Sequence, residues 1–466
     1  MNLEFEAEHP IILLDLGSKR VKGLYLDNKF KTRRIESYDA KYVGEGVIDT
    51  KDYLDKVLKI IKVFLKQSTS KDYLLGITGQ RASIVGWSKD LNVVTPTYTW
   101  RSESGYLMYR KIRERRDLGI LEMFLQPGAG ILRVGYIKEK YSDVDFIGGI
   151  ESLVIYRLFN DVFTDYSFGY SYGVLDPLSL NIIDDIVNIL DIDLDKIPRF
   201  LPLDEIDFTG ELDGYTLHLK SVLSDQSSAL ASEGCFTHGC GKITLGTGAF
   251  IDLYTGEEFI GDPSIGVNPM LAWAKGVSAT YMAEYFIYHA GDSLDWVSEL
   301  YKCDERASKI DFKDLPLYLP SYSFLTTESR KRFDGAIYRD LKLSTSLKEL
   351  YFAVFSSASY LISRGIKRVS ELAEFNKIYV SGGWSNSNLL LNLIALFSKR
   401  KLYVRKERSY STLYGLIPFI IENLGIKQYN VIDVLRPIEE TIEPEEEYYP
   451  SEYIEKLESL YEATIK

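Results

Sequence analysis

Cysteine and histidine are scarce in this chain: 3 and 4 residues respectively among 466. Three cysteines cannot build a disulfide framework, and with no secretory leader in view they fit a reducing cytoplasm. Cys235 and Cys240 bracket His238, which invites a zinc site. That spacing matches no common zinc motif and no second ligand pair exists, so the zinc reading is set aside. The acidic N-terminus, Met1 to Pro10, lacks the apolar core of a signal peptide. No apolar run approaches the ~20 residues needed to cross a bilayer, so no integral membrane segment is expected. Positive charge is in deficit: 55 Lys and Arg stand against 67 Asp and Glu, a net charge of -12. That balance removes the electrostatic ground for nucleic acid or an anionic membrane as partner. An anionic nucleotide stays open, because backbone donors and a metal bind it locally. Glutamine is rare as well, a habit of thermophilic proteins.

What the chain does have is globular: 45% hydrophobic and 26% charged residues argue against disorder. Its length asks for about two or three domains. Ile11 to Leu16 reads as a buried strand, Val21 to Asp27 as its returning partner, and Gly17-Ser18 as the tip of a hairpin. Thr50 to Lys66 is helical by its Leu54, Val57, Leu58, Ile61 and Leu65 stripe. Leu74 to Gly79 and Ala82 to Trp87 read as strands around Gln80-Arg81. Residues 106–126, 150–160 and 179–196 read as helices, the first with a solvated basic face from Arg110 to Arg116. A second strand-rich block starts near residue 241. Ser346 to Arg364 is a long helix. Lys377 to Val380 is a strand running into Ser381-Gly382-Gly383 and then an apolar helix. The glutamates from Glu439 to Glu447 read as a solvated linker before a short C-terminal amphipathic helix. The expected domains are 1–232, 233–436, and a tail of linker and helix over 437–466.

Two stretches concentrate chemistry. Ser224-Asp225-Gln226 puts one carboxylate on a turn of small polar residues, and Lys242 to Phe250 runs a strand into Gly246-Thr247-Gly248. A base for a hydroxyl group and a turn that approaches phosphates need about this composition. Asp225 is a general base or a helix N-cap. Asp15 is a phosphate-hairpin residue or a turn former. Arg81 is a ligand clamp or a surface ion-pair partner, and Trp100 is a platform for a small polyol or a core aromatic. Gly382-Gly383 between strand and helix suits close approach of a flat base.

In order and spacing these pieces resemble the FGGY carbohydrate kinases over roughly residues 9 to 425. The resemblance implies an α/β fold of two actin-like ATPase (ribonuclease H-like) domains flanking a cleft. It also implies transfer of the ATP γ-phosphoryl group to a small polyol or sugar, glycerol first, with Mg2+. Asp15-Leu16-Gly17-Ser18 through Lys22 resembles the phosphate hairpin, whose aspartate acts near the metal. Asp225-Gln226 is similar to the aspartate-glutamine pair whose aspartate is the catalytic base. Arg81, Trp100 and Gln226 then join Asp225 in the acceptor pocket. Ser18, Lys19, Arg20, Lys22, Thr247, Gly291, Asp295, Gly383 and Ser387 fall at the nucleotide. A homodimer is compatible with this family.

Departures gather on the acceptor side. Ala82 stands where the glycerol-type pattern has glutamate after the arginine. Ser102 and Ser104 replace a charged pair after Trp100, and a contact tyrosine falls on Gly128. Thr326 to Lys331 replaces a Gly-Ala-Pro-Tyr-Trp region, and Lys19 and Arg20 replace small hydroxyl residues. Two rival readings follow: a kinase for another polyol or ketose, and a catalytically silent nucleotide-binding relative.

Overall fold

The computed structural model describes residues 6–115, 117–301, 310–329, 331–425 and 431–465. Arg116, Cys303, Arg330 and the first five residues of the acidic N-terminus lie outside the described residues. The chain divides into two compact units. One comprises residues 1–232, 271–280 and 412–435, and the other 233–270, 281–411 and 436–466.

The first unit is built on six strands in the order Phe208–Leu212, Tyr215–Ser224, Asp72–Gly79, Ile11–Leu16, Arg20–Leu26 and Thr32–Asp39. Every residue of Ile11–Leu16 is buried, as befits a central strand covered on both faces. It runs antiparallel to Arg20–Leu26 and parallel to Asp72–Gly79, which is itself parallel to Tyr215–Ser224. The helix Thr50–Phe64 begins at Asp49, whose carboxylate accepts the Asp52 N–H. It packs on Arg20–Leu26 through a face that includes Val57, Ile60, Ile61 and Phe64. A second sheet of five short strands (order Tyr42–Gly44, Val47–Ile48, Thr97–Tyr98, Ile84–Trp87, Phe146–Gly149) carries the segment after Arg81 and the segment before Trp100.

The second unit's sheet follows the order Ser278–Ile287, Ala249–Gly256, Gly239–Leu245, Phe375–Ser381, Leu402–Arg405 and Ile438–Ile442. Gly239–Leu245 has antiparallel Ala249–Gly256 on one side and parallel Phe375–Ser381 on the other, which is parallel to Leu402–Arg405. Both main sheets therefore share one topology. A first strand has two antiparallel strands to one side, two parallel strands to the other, and an antiparallel strand beyond them. By that equivalence the Gly17-Ser18 hairpin corresponds to the Gly246-Thr247-Gly248 hairpin, and Gly79-Gln80 to Ser381-Gly382.

Four expectations are corrected. The glutamates near residue 440 are no linker, because Ile438–Ile442 pairs antiparallel with Leu402–Arg405. An edge strand leaves half its side chains in water and tolerates glutamate there. Residues 106–126 are not one helix: Ser104–Arg113 stops, and a 3-10 turn, Gly119–Met123, follows from Gly119 at φ 52°. Residues 179–196 hold only Asp184–Leu190 and the turn Leu194–Lys196, because Asp191 takes the left-handed conformation at the helix end. Cys235 and Cys240 form a disulfide with Cα atoms 5.2 Å apart. That bond runs against the expectation of cysteines kept reduced, and it leaves neither sulfur as a thiolate ligand, in line with the zinc reading being set aside.

Candidate active site

Three parallel strands of the first unit end level with one another: Leu16 pairs with Gly79, and Gly79 with Ser224. Ligands of open α/β sheets collect at such carboxyl ends. Asp15 stands at the end of the first strand, Gln80 and Arg81 follow the second, and Asp225 follows the third. With strands about 4.8 Å apart, the backbones at Asp15 and Asp225 are on the order of 10 Å apart.

The Asp15 carboxylate is nearly enclosed, at 6% side-chain exposure, with Lys22 Nζ at 3.7 Å from Oδ2. Thr412 Oγ1 donates to the same Oδ2 at 2.9 Å, and the Thr412 carbonyl accepts the Ser228 hydroxyl at 2.6 Å. Asp225 is more open, at 28%, and opens the helix Asp225–Ser232. Its Oδ1 accepts the Gln226 N–H at 2.8 Å and faces Arg81 Nε at 3.6 Å. The Arg81 side chain is 13% exposed, so it is an inward partner of Asp225 rather than a free surface arginine. Gln226 itself is buried.

The backbone entering Asp225 is fixed from below. The Ser224 N–H donates to Ser167 Oγ at 2.9 Å, and that hydroxyl donates to Asp165 Oδ1 at 2.9 Å. Asp165 is fully buried, and burial pushes its carboxyl up to about 7 despite hydrogen bonds from Ser167 and Phe168.

Trp100 is half-buried on the loop after Thr97–Tyr98. Arg133 anchors that loop: its guanidinium donates to the carbonyls of Thr99 (2.9 Å), Trp100 (2.8 Å) and Gly128 (3.1 Å). Burial lowers the Arg133 pKa to about 10. Ser102 and Ser104 hydroxyls bond each other at 2.7 Å. Ala82, beside Arg81, sits at φ 53°, a region that disfavours a side-chain-bearing residue by roughly 1–2 kcal/mol.

At the hairpin tip, Tyr53 donates to the Gly17 carbonyl at 2.9 Å and Tyr42 to the Ser18 carbonyl at 3.0 Å. Ser18 is half-exposed and Lys19 exposed. Arg20 pairs with Asp39 at 2.7 Å in the open.

In the second unit, Thr247 is half-exposed at the hairpin tip, and its carbonyl accepts the Asp292 N–H at 3.0 Å. Gly291 is buried against this tip, where an added Cβ would overlap the Gly246 carbonyl oxygen. Gly382 adopts φ 96° with a Cβ position 2.5 Å from the Leu245 carbonyl oxygen, so only glycine fits. Gly383 is exposed, with open space on its side-chain side. Asp295 accepts the Trp384 indole N–H at 3.1 Å. Ser387 caps the helix Asn388–Ser398 through the Leu390 N–H. The expected nucleotide residues Thr247, Gly291, Asp295, Gly383 and Ser387 thus gather on one group of strand ends and the helices that follow.

Sequence reasoning missed Thr412, Arg133 and Asp165. Thr412 lies 397 positions from Asp15, and Arg133 lies inside an apolar helix with no motif around it. Asp165 carried one readable signal: a carboxylate two residues before a serine, at a helix start, is a capping pattern.

Residues 241–417 match the family model described as "FGGY family of carbohydrate kinases, C-terminal domain". An uncharacterized sugar kinase of Archaeoglobus fulgidus is 29% identical over 269 residues, 56% of this chain and 53% of that protein. The chain thus spans about half the length of that relative. Glycerol kinase 2 of Sulfolobus acidocaldarius is 23% identical across 99% of this chain and 98% of its own. Among solved structures, gluconate kinase from Lactobacillus acidophilus superposes with a TM-score of 0.85 at 17% identity, covering 98% of each chain. Plasmodium falciparum glycerol kinase with ADP gives 0.82 at 16% identity, covering 99% of each. At these identities the structural likeness establishes the fold.

Proposed function

We propose that this chain, a carbohydrate kinase of the FGGY family, phosphorylates a small polyol, glycerol first, with ATP as donor. The observation that carries the reading is the pair of carboxylates at level ends of parallel strands, Asp15 enclosed and Asp225 open, with Arg81 3.6 Å from Asp225.

Phosphoryl transfer asks a protein for positioning and charge neutralisation more than for covalent help. The acceptor hydroxyl loses its proton to an Asp225 oxygen as its own oxygen bonds to the γ-phosphorus and the bond to the departing ADP oxygen breaks. Arg81, Trp100 and Gln226 hold the acceptor. Arg133 keeps the Trp100 and Gly128 backbones in place, and the Asp165–Ser167–Ser224 chain keeps the turn that presents Asp225. An enclosed carboxylate held by a hydroxyl and faced by an ammonium fits water-mediated contact with a hard divalent cation. Mg2+ at Asp15 would neutralise developing phosphate charge. Ser18, Lys19, Arg20, Lys22 and Thr247 meet the phosphates, with Arg20 leaving Asp39 to do so. Gly291, Asp295, Gly383 and Ser387 border the nucleoside. In this assignment residues 1–232 provide the acceptor pocket and phosphate hairpin, and 233–436 the nucleotide site. A cytoplasmic enzyme, as monomer or homodimer, accords with it.

Glycerol is favoured by the relatives named glycerol kinase, at 21–26% identity across most of the chain. A different polyol or a ketose is the second reading. It is favoured by Ala82, which offers no carboxylate, and by Ser102 and Ser104, whose hydroxyls bond each other. A coupled ADP-release assay over glycerol, other polyols and ketoses separates the two. No turnover with any acceptor, under conditions where ATP binds, would sink both. Asp225→Asn should lose at least about a hundredfold in turnover while ATP affinity stays unchanged. Full activity in that variant removes Asp225 as base.

A further inference from the structure

Two of the four histidines meet at the opposite end of the first unit's sheet from Asp15 and Asp225. His9 stands just before Ile11–Leu16, Asp72 opens Asp72–Gly79, and His218 lies in Tyr215–Ser224. Cross-strand pairing accounts for the meeting. His218 pairs with Leu74, two residues on from Asp72, so His218, Leu74 and Asp72 share one face. Thr209 pairs with His218 on the neighbouring strand and so shares that face too. The Pro10 carbonyl accepts the Leu74 N–H at 2.9 Å, which brings His9 to the same place.

We propose that His9, Asp72 and His218 form a binding site for a zinc-class divalent cation at the base of this sheet. One ligand atom from each residue lies within 4.8 Å of the other two. His218 Nε2 is 3.3 Å from Asp72 Oδ1, about the separation of two ligands on one tetrahedral ion with bonds near 2.0–2.1 Å. The His9 ring stacks on the His218 ring, centroids 5.6 Å apart and 13° from parallel. A small rotation of the partly exposed His9 closes the third ligand distance. Thr209 Oγ1 lies 3.2 Å from His218 Nδ1, the position of an outer partner that fixes a ligating imidazole's orientation. Two imidazoles and one carboxylate select zinc, cobalt or nickel over magnesium. Side-chain exposures of 23% for His218 and 40% for Asp72 give an ion access from solvent and leave a fourth position for water. From Asp15, six residues further along the strand, the site is about 20 Å away, so it does not share the proposed catalytic Mg2+. A bound ion would tie the segment before Ile11–Leu16 to two neighbouring strands and stabilise the folded chain by mass action.

The test uses the full chain, stripped with chelator and dialysed, then titrated with ZnCl2 by calorimetry and with CoCl2 by visible absorption. Wild type should bind one equivalent of zinc, show the intense visible bands of four-coordinate cobalt, and melt higher with zinc than without. His218→Gln and His9→Gln should each lose the cobalt bands and weaken zinc at least tenfold, with folded circular dichroism and wild-type turnover on MgATP. No stoichiometric zinc binding by the wild type would overturn the proposal. So would equal zinc binding in wild type and both variants. If His218→Gln does not fold, His9→Gln, which lies outside any strand, decides the matter alone.

Discussion

Replacing Thr412 by valine removes one hydroxyl and keeps the shape of the side chain. That hydroxyl donates to Asp15 Oδ2 at 2.9 Å, and the residue Asp15 is only 4% exposed. Water has little room to take its place. Lys22 Nζ, at 3.7 Å, is beyond hydrogen-bond length and cannot fully substitute. A hydrogen bond to a charged group is worth about 1.5–3 kcal/mol, so the variant should lose about that much stability in guanidinium unfolding. The carboxylate should also become free to swing. If Asp15 orients the metal–phosphate group, turnover should fall roughly tenfold, about 1.4 kcal/mol of barrier, with the Mg2+ concentration for half-maximal rate rising. The acceptor KM should stay within about twofold, because Arg81 and Trp100 are untouched. ADP release measured against Mg2+ and against acceptor gives both numbers. Asp15→Asn and the double variant complete a cycle, whose coupling should exceed about 0.5 kcal/mol. Wild-type turnover and Mg2+ dependence in Thr412→Val would refute the idea that this hydroxyl holds a working Asp15. A stability loss without any kinetic change would mark the contact as structural only.

Three further outcomes are expected. Gly291→Ala forces a Cβ into the Gly246 carbonyl, and overpacking of 1–3 kcal/mol should weaken ATP roughly tenfold by calorimetry; unchanged ATP affinity would separate Gly291 from the nucleotide. Glu151 and Asp165 are both pushed up to about 7 by burial. They keep their protons in the fold at a pH where the unfolded chain, with carboxylates near 4, has released them. Folding then binds protons, so their contribution to stability is largest near pH 4 and falls as pH rises through 7. Urea midpoints should be lower at pH 8 than at pH 5.5, with a smaller difference in Glu151→Gln; a difference as large as in wild type would refute this. Arg364, 5% exposed, pairs with Glu328 and Glu462 at 2.7 Å and also with Glu458. Arg364→Ala leaves Glu328, 7% exposed, to Arg368 at 2.8 Å as its ion-pair partner, and should cost about 3–5 kcal/mol in chemical unfolding.

The buried strands and their hairpins were legible because strand segments covered on both faces are near-continuous apolar runs, as in Ile11–Leu14 and Ile378–Val380. Asp15, Asp225 and Gly382 stood out for the complementary reason. Each is a polar or side-chain-free residue where an apolar run stops, and a chain seldom ends a buried strand that way without a ligand or a tight turn. The acidic tail misled because an edge strand with one solvated face carries the charge pattern of a linker. The short helices near residues 119 and 191 were hidden because their breaks lie in left-handed backbone positions that composition only hints at.

The sequence by itself determined the kind of chemistry on offer: a lone carboxylate on a polar turn, two glycine hairpins, and an acidic charge balance. Only the tertiary structure decided which groups act together. Strand register put Asp15, Arg81 and Asp225 on level ends of one sheet. It also brought two histidines to one aspartate at the far end, while helices delivered Thr412 to Asp15 and Arg133 to the Trp100 loop. Partners drawn from distant parts of the chain leave no local pattern, because the forces that join them act across the sheet and not along the sequence.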